Sequence, residues 1–440
     1  MELAHRQLRK RDHYGPAFVV WSRAFALAML VHCTLPDYEQ PGWLMPQVMG
    51  GIGALILLWR PSMAGFLLCT VSLLIPLMFL RDVLTQSMYL VWVGCLGTSR
   101  FFFPNIRILD GVRVITGITY LIAALHKINT EFLDPAYSCA HHAAQQIAER
   151  WSLLSGLDEL GVTLSVGVII MEVVLGFGII LGRPWIWLLG VIFHVPLTAT
   201  LAPAFGAVML SGYVACLTPR HLVLARACFR RHKISMIGAV FGTSILSLII
   251  DGGLSDWWMA LKIGVGVALA LWSLLAIGAW SRDRRPINTI GYLVGALWFC
   301  HGLTPYVAVQ YQHTGAMLSN LRIDEGCANS YIFPKAWLRN DPYIRIDEAR
   351  IGRGQRPQRE ALVEATLWNA AAIHTMRKNW CVAHLRPIFL QGSWAGSPFE
   401  IQDLCGPDWL AEEPRLDRPL MGFQRFQKNL LRRCPTACIH

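Results

Sequence analysis

The chain has 440 residues, 54% of them hydrophobic and 15% charged, with a mean hydropathy of +0.42. A soluble chain of this length carries roughly a quarter charged residues, so the composition points to an integral membrane protein. The formal net charge of +11 does not argue for nucleic acid, because the basic residues lie between apolar runs, where membrane topology puts them.

A basic tail, 1–15, leads into an apolar run with no cleavage-site pattern, which reads as a start-transfer span. A span needs roughly 20 predominantly apolar residues. Candidate spans lie near 16–35, 43–60, 62–80, 84–99, 109–126, 161–182, 184–201, 203–218, 234–251, 257–280 and 287–306. That makes roughly eleven, the fourth and eighth being short. Loop charge tests the reading. Arg6, Arg9, Lys10 and Arg11 precede the first span, and Asp37 and Glu39 come after it. Arg100, Arg107 and Arg113 mark the next basic loop, and Glu131, Asp134, Glu149, Asp158 and Glu159 the acidic stretch 127–160. A basic loop at 219–233, an acidic turn at 251–256 and the basic SRDRRP complete the alternation. It fits a cytosolic N-terminus and an odd number of spans, which puts Lys127 and the region 307–440 outside the cytosol.

The region 307–440 is more polar. NSYIFPKAW and DPYIRIDEARI have the alternation of strands, and 360–375 has helical spacing, so a small α/β unit is expected. Of the twelve cysteines, Cys69, Cys95, Cys216 and Cys300 lie in apolar runs and read as core thiols. Cys327, Cys381, Cys405, Cys434 and Cys438 lie in the polar region, where one or two disulfides are expected. Residues 136–153 read as an amphipathic surface helix with Ala136, Ala140, Ala143 and Ile147 on one side. Cys139, His141 and His142 within it fall short of a four-ligand metal site.

Ionisable residues inside spans are costly and mark function by default. Lys127 ends an apolar helix. It either snorkels to the interface or, desolvated, serves as a base. Glu172 lies in mid-span and needs a partner or a cavity. Arg23 is a similar case, for which pairing with a carboxylate or a carbonyl is the simplest reading. His194 in an apolar run is either a core histidine bonded to a neighbouring helix or a functional group.

Residues 113–135, RVITGITYLIAALHKINTEFLDP, resemble the signature helix of the vitamin K-dependent γ-carboxylase family and its bacterial relatives, the horizontally transferred transmembrane (HTTM) proteins. Tyr120, Ala123 and Lys127-Ile128 match that signature, and Phe132 stands where the family usually has Trp. The stretch 191–217 resembles a second family segment through His194, and 312–322, QHTGAMLSNLR, a third through Met317 and Arg322. The resemblance covers roughly 16–325. It departs at Gln86-Ser87, where the carboxylase has an Asn-His pair, and serine cannot replace an imidazole as a base.

The resemblance implies a polytopic α-helical membrane protein with an HTTM-like domain over 16–306 and an extracytosolic region over 307–440, in a bacterial inner membrane. It implies Lys127 as base, with His194 and Arg322 as further catalytic residues. Tyr120, His126, Glu172 and Met317 would hold the cofactor, a reduced vitamin K- or menaquinone-like quinone, with no metal. Expected partners are membrane lipid and a secreted peptide or protein substrate, not nucleic acid. Three functions are compatible with it: a carboxylase-like lyase or oxidoreductase with a changed reaction, a non-catalytic factor for maturation or export of a secreted peptide, or a transporter using Lys127, Glu172 and His194 as a polar path.

Overall fold

The computed structural model describes residues 15–33, 44–79, 86–150, 156–183, 185–200, 205–217, 219–251, 265, 268, 287–307, 309–311, 314–315, 318–324, 326–333, 343–352, 357–368, 370–394, 396–406, 430–436 and 438. The first part is a helical bundle: α1 (Pro16–Cys33), α2 (Leu44–Trp59), α3 (Met63–Phe79), α4 (Ser87–Phe102) and α5 (Ile108–His126). Two shorter helices come next, α6 (Thr130–Leu133) and α7 (Cys139–Arg150). Then come α8 (Val162–Ile180), α9 (Ile186–Thr200), α10 (Phe205–Val214), α11 (Pro219–Asp251) and α12 (Thr289–Gly302). Among the described residues, α1, α5 and α8 are long and apolar enough to cross a membrane, and α2, α3, α9 and α10 contain shorter apolar stretches. The expected span at 257–280 lies almost entirely outside the described residues.

One expected loop is helical. Residues 219–233, basic throughout, form the first turns of the 33-residue α11. Proline is tolerated in a helix's first turn, and no further proline occurs up to Asp251, so the charged stretch continues into the apolar one.

Aromatic rings lock the α1–α3 side of the bundle: Trp21 stacks on Phe66 at 5.5 Å between centroids, and Phe25 on Phe66 at 5.5 Å. Arg23 donates through Nε to the Leu58 carbonyl oxygen at 3.1 Å, the carbonyl pairing expected for it. On the other side of the bundle α5 crosses α8 at close quarters. A Cβ on Gly117 would lie 2.7 Å from the Gly176 carbonyl oxygen, and one on Gly176 would lie 2.8 Å from that of Gly117. The two backbones touch there, as small residues allow in lipid.

The C-terminal unit is a five-stranded antiparallel sheet, order β4-β3-β1-β2-β5, built from β1 (Ile344–Ile351), β2 (Thr366–Trp368), β3 (Ile388–Trp394), β4 (Ser397–Ile401) and β5 (Leu430–Leu431). Ile344, Ile346, Ile388 and Leu390 pack with Val363 of α13 (Pro357–Ala365) and Ile373 and Met376 of α14 (Ala370–Val382). The expected single helix over 360–375 is thus two helices broken by β2. Leu367 leaves the helical path to join Tyr343 and Leu430 in a separate buried cluster, while β2 pairs with β1 and β5. The strand expected in NSYIFPKAW is absent from its described part, 329–333, where Ser330 makes an isolated bridge to Asn129, and 334–337 lie outside the described residues.

Among the described residues three disulfides form, more than expected: Cys139–Cys438, Cys327–Cys434 and Cys381–Cys405. Cys69, Cys95, Cys216 and Cys300 are free thiols, but only Cys69 is buried as a core thiol should be; Cys216 is half-buried, and Cys95 and Cys300 are exposed on the outer faces of their helices. Replacing Gly176 by valine should push α5 and α8 apart and destabilise the protein by about 1–3 kcal/mol, because a carbonyl oxygen in the wall cannot yield as a side chain can. Thermal unfolding of the purified protein in detergent measures this, and a melting temperature equal to wild type would refute the close crossing.

Candidate functional site

Residues 119, 123 and 127 recur every four positions along one face of α5, and 164, 168 and 172 do so on α8. The two faces enclose a cavity of about 270 Å³ whose wall includes Thr119, Ala123, Lys127, Val168, Met171 and Glu172. α7 closes one side with Ala140, Ala143, Ala144 and Ile147, and α9 and α10 contribute Phe193 and Phe205. The expected amphipathic helix therefore exists, but it begins at Cys139. Its apolar face lines this cavity, and 151–153 lie outside the described residues.

Among the described residues, the charged groups of this mostly apolar wall lie at one place. Lys127 Nζ donates to Glu172 Oε1 at 2.9 Å, with both side chains more than nine-tenths buried. Lys127 Nζ also lies 5.7 Å from the centre of the Phe132 ring. Glu172 Oε2 is buried and has no hydrogen-bond partner among the described residues. Each buried ion costs several kcal/mol to desolvate, so the pair survives only because its partners meet in good geometry.

Behind the wall lies a second polar group. Tyr120, one residue round α5 from the cavity-lining Thr119, bonds through its hydroxyl to His194 Nε2 and to the Tyr213 hydroxyl, the latter at 2.9 Å. The His194 ring lies edge-on to Phe205 at 5.0 Å, and its Nδ1 is buried without a partner among the described residues. His194 is thus next to the cavity through Phe193 and Phe205, not on its wall. Sequence reasoning missed Tyr213. The available signal was a tyrosine in an apolar helix, whose hydroxyl needs a partner when buried.

Three candidates lie elsewhere. His126 turns away: Nδ1 bonds the Tyr306 hydroxyl at 2.8 Å and Nε2 faces the Thr314 carbonyl oxygen at 3.3 Å. Arg322 is fully buried. It donates to both oxygens of Asp324, at 3.0 and 2.9 Å, and to the carbonyl oxygens of Leu431 and Arg433. It anchors the C-terminal segment and does not reach the cavity wall. Met317 lies outside the described residues. Cys139, half of a disulfide, is not available as a metal ligand. Ser87, at the position where the family resemblance puts histidine, bonds His32 Nε2 of α1 at 3.1 Å.

The segment after Lys127 is held by asparagines. Asn129 caps α6, accepting from the Phe132 N–H at 2.8 Å, and its Nδ2 donates to the His126 and Ser319 carbonyl oxygens. Asn320 accepts from the Cys139 N–H at 2.8 Å and donates to the Tyr137 carbonyl oxygen. Asn329 donates to the Asn320 carbonyl oxygen at 2.8 Å. Leu318, on the cavity wall, has φ 56°, which costs a non-glycine residue about 1–2 kcal/mol. The asparagine network holds it there.

A polar cleft of about 300 Å³ lies beyond, between 130–137 and the Cys327–Cys434 disulfide. Burial pushes the Glu131 carboxyl in its wall up from 4.5 to about 7, against the opposing pull of Arg322.

Lys127→Met leaves Glu172 buried and unpaired and should cost about 3–5 kcal/mol, and much of that should return in the double variant with Glu172→Leu. A double-mutant cycle on unfolding free energy measures it, and additive losses would refute the coupling. For Glu131 the folded-state value is raised. Its stabilising contribution is therefore complete below pH 4.5 and lost as pH rises through about 7. Melting temperature should fall across that interval in wild type and fall less in Glu131→Gln; identical profiles would contradict this.

Comparison with protein-family models, with curated proteins and with solved structures gives no match, so the family resemblance rests on the quoted residues alone.

Proposed function

We propose that the chain is an HTTM-type, γ-carboxylase-like integral membrane protein that binds a quinol-like amphiphile in the Lys127–Glu172 cavity and takes a proton from its hydroxyl. One observation carries the reading. Among the described residues, the charged groups on the wall of this apolar cavity are Lys127 and Glu172, and Glu172 Oε2, buried behind that wall, accepts no hydrogen bond from them. A neutral ring with a hydroxyl matches such a wall; a free ion does not. Ile192, on the wall and about half exposed, marks a lateral opening by which an isoprenoid tail would pass to the lipid.

In this reading the base is the pair and not Lys127 alone. The hydroxyl docks against the ion pair, the Glu172 carboxylate accepts the proton, and the ammonium of Lys127 stabilises the oxyanion that forms. The alternation of loop charges and the disulfides of the C-terminal unit support placing this end of the bundle outside the cytosol, and the family resemblance supports a bacterial membrane. An acceptor substrate, a secreted peptide or protein, would approach from there.

A second reading, a non-catalytic membrane factor for maturation or export of a secreted peptide, is favoured by the commitment of Arg322 to Asp324 and the C-terminal segment. The test supplies reduced menaquinone or vitamin K with oxygen to purified protein. It monitors epoxide formation and, separately, quinone binding by equilibrium dialysis in nanodiscs. Wild type should form epoxide, and Lys127→Ala and Glu172→Gln should lose at least about a hundredfold in rate, the scale of acid–base catalysis. Binding without turnover would favour the second reading, and neither binding nor turnover by folded protein would sink both uses of the cavity.

A further inference from the structure

A second cavity, of about 300 Å³, opens at the end of α5 opposite Lys127. Its wall carries Arg100 from the last turn of α4, Arg107 and Asp110 from the start of α5, and Arg113 one turn further along. Phe18 and Leu217 close the apolar side. Among the described residues this wall carries three arginines and one carboxylate. Asp110 pairs with Arg107 at 3.2 Å and also accepts the Asn288 N–H at 3.3 Å. Arg100 has no hydrogen-bond or ion-pair partner among the described residues. Arg113 is 5% exposed, so this charge is held inside the protein and not spread over its surface. Gly182, in the turn after α8, lies against it: a Cβ there would stand 3.3 Å from Nη1.

A buried arginine beside an uncompensated one, at the mouth of a cavity with an apolar side, is chemistry for an anion carried on an amphiphile. Guanidinium forks match the oxygens of a phosphate group, and the start of α5, which has no side-chain cap hydrogen bond, adds its positive end. We propose that this cavity is a binding site for a phosphate group, the head group of an anionic phospholipid or a free phosphate, independent of the Lys127–Glu172 cavity. By the loop charges it faces the cytosolic leaflet, where such lipids are recognised by clustered basic residues.

The test reconstitutes the full chain in phosphatidylcholine nanodiscs, with and without phosphatidylglycerol, and separately with inorganic phosphate. Retained lipid is read by native mass spectrometry and stability by melting temperature. Wild type should retain phosphatidylglycerol over phosphatidylcholine. Arg100→Gln should weaken retention about fivefold, the scale of one basic residue at an anionic surface. Arg113→Lys keeps the charge and loses the fork, so it should weaken retention while the protein still folds. Arg230→Gln, exposed on α11, is the control and should change nothing. Stabilisation by inorganic phosphate in phosphatidylcholine, lost in Arg100→Gln, would identify a free phosphate as the occupant of the same site. Equal losses in Arg230→Gln and Arg100→Gln would mean diffuse surface charge and overturn the proposal, as would no preference for either phosphate source.

Discussion

The ion pair between Lys127 and Glu172 is the constraint around which the bundle is arranged. Two charges out of water tolerate little misplacement, because the attraction that offsets their desolvation falls quickly with distance. The structure fixes them by backbone, not by side-chain reach. Gly117 and Gly176 bring α5 and α8 into direct contact, and Lys127 and Glu172 both lie beyond that crossing, towards the same end of the bundle. A larger residue at either glycine would move the charges as well as the helices.

The segments past Lys127 keep the chain from relaxing away from that geometry. Asn129, Asn320 and Asn329 join the end of α5, the start of α7 and the segment after α12 through bonds to backbone groups. Such a network is worth having only when every member is satisfied. Arg322 and two disulfides then tie this cap to the last residues of the chain: Cys139 of the cavity-wall helix is bonded to Cys438, and Cys327 to Cys434. The C-terminal segment therefore braces the wall that encloses the cavity, although Cys438 lies 299 positions from Cys139 in sequence.

The two ends of α5 have opposite chemistry. One end sets a buried ion pair in the wall of an apolar cavity. The other presents arginines, suited to an anion. A single helix thus carries both candidate sites, and the glycine crossing between them sets the position of one without touching the other.

The sequence by itself determined the class of the molecule and the residues under stress. Hydropathy gave apolar helices where α1, α5 and α8 stand, and burial cost singled out Lys127 and Glu172, because a charge in an apolar run must be paired wherever the fold puts it. It also gave β1, whose alternation is seen on either side of an irregularity between Ile346 and Glu348 that shifts its phase by one residue. The tertiary structure alone decided who pairs with whom. Lys127 and Glu172 are 45 positions apart and Tyr120 and Tyr213 are 93, so no local spacing announces either contact. It took Arg322 and His126 out of the cavity by giving them nearer partners, and it broke the 360–375 helix by placing Leu367 in the buried cluster with Tyr343 and Leu430. It brought Cys139 into a disulfide with the C-terminus, a pairing that spacing could not reveal. The physical reason is the same in each case. Periodicity and desolvation act on one segment at a time and can be read along the chain, whereas partners are chosen by proximity in space, which only the packed helices define.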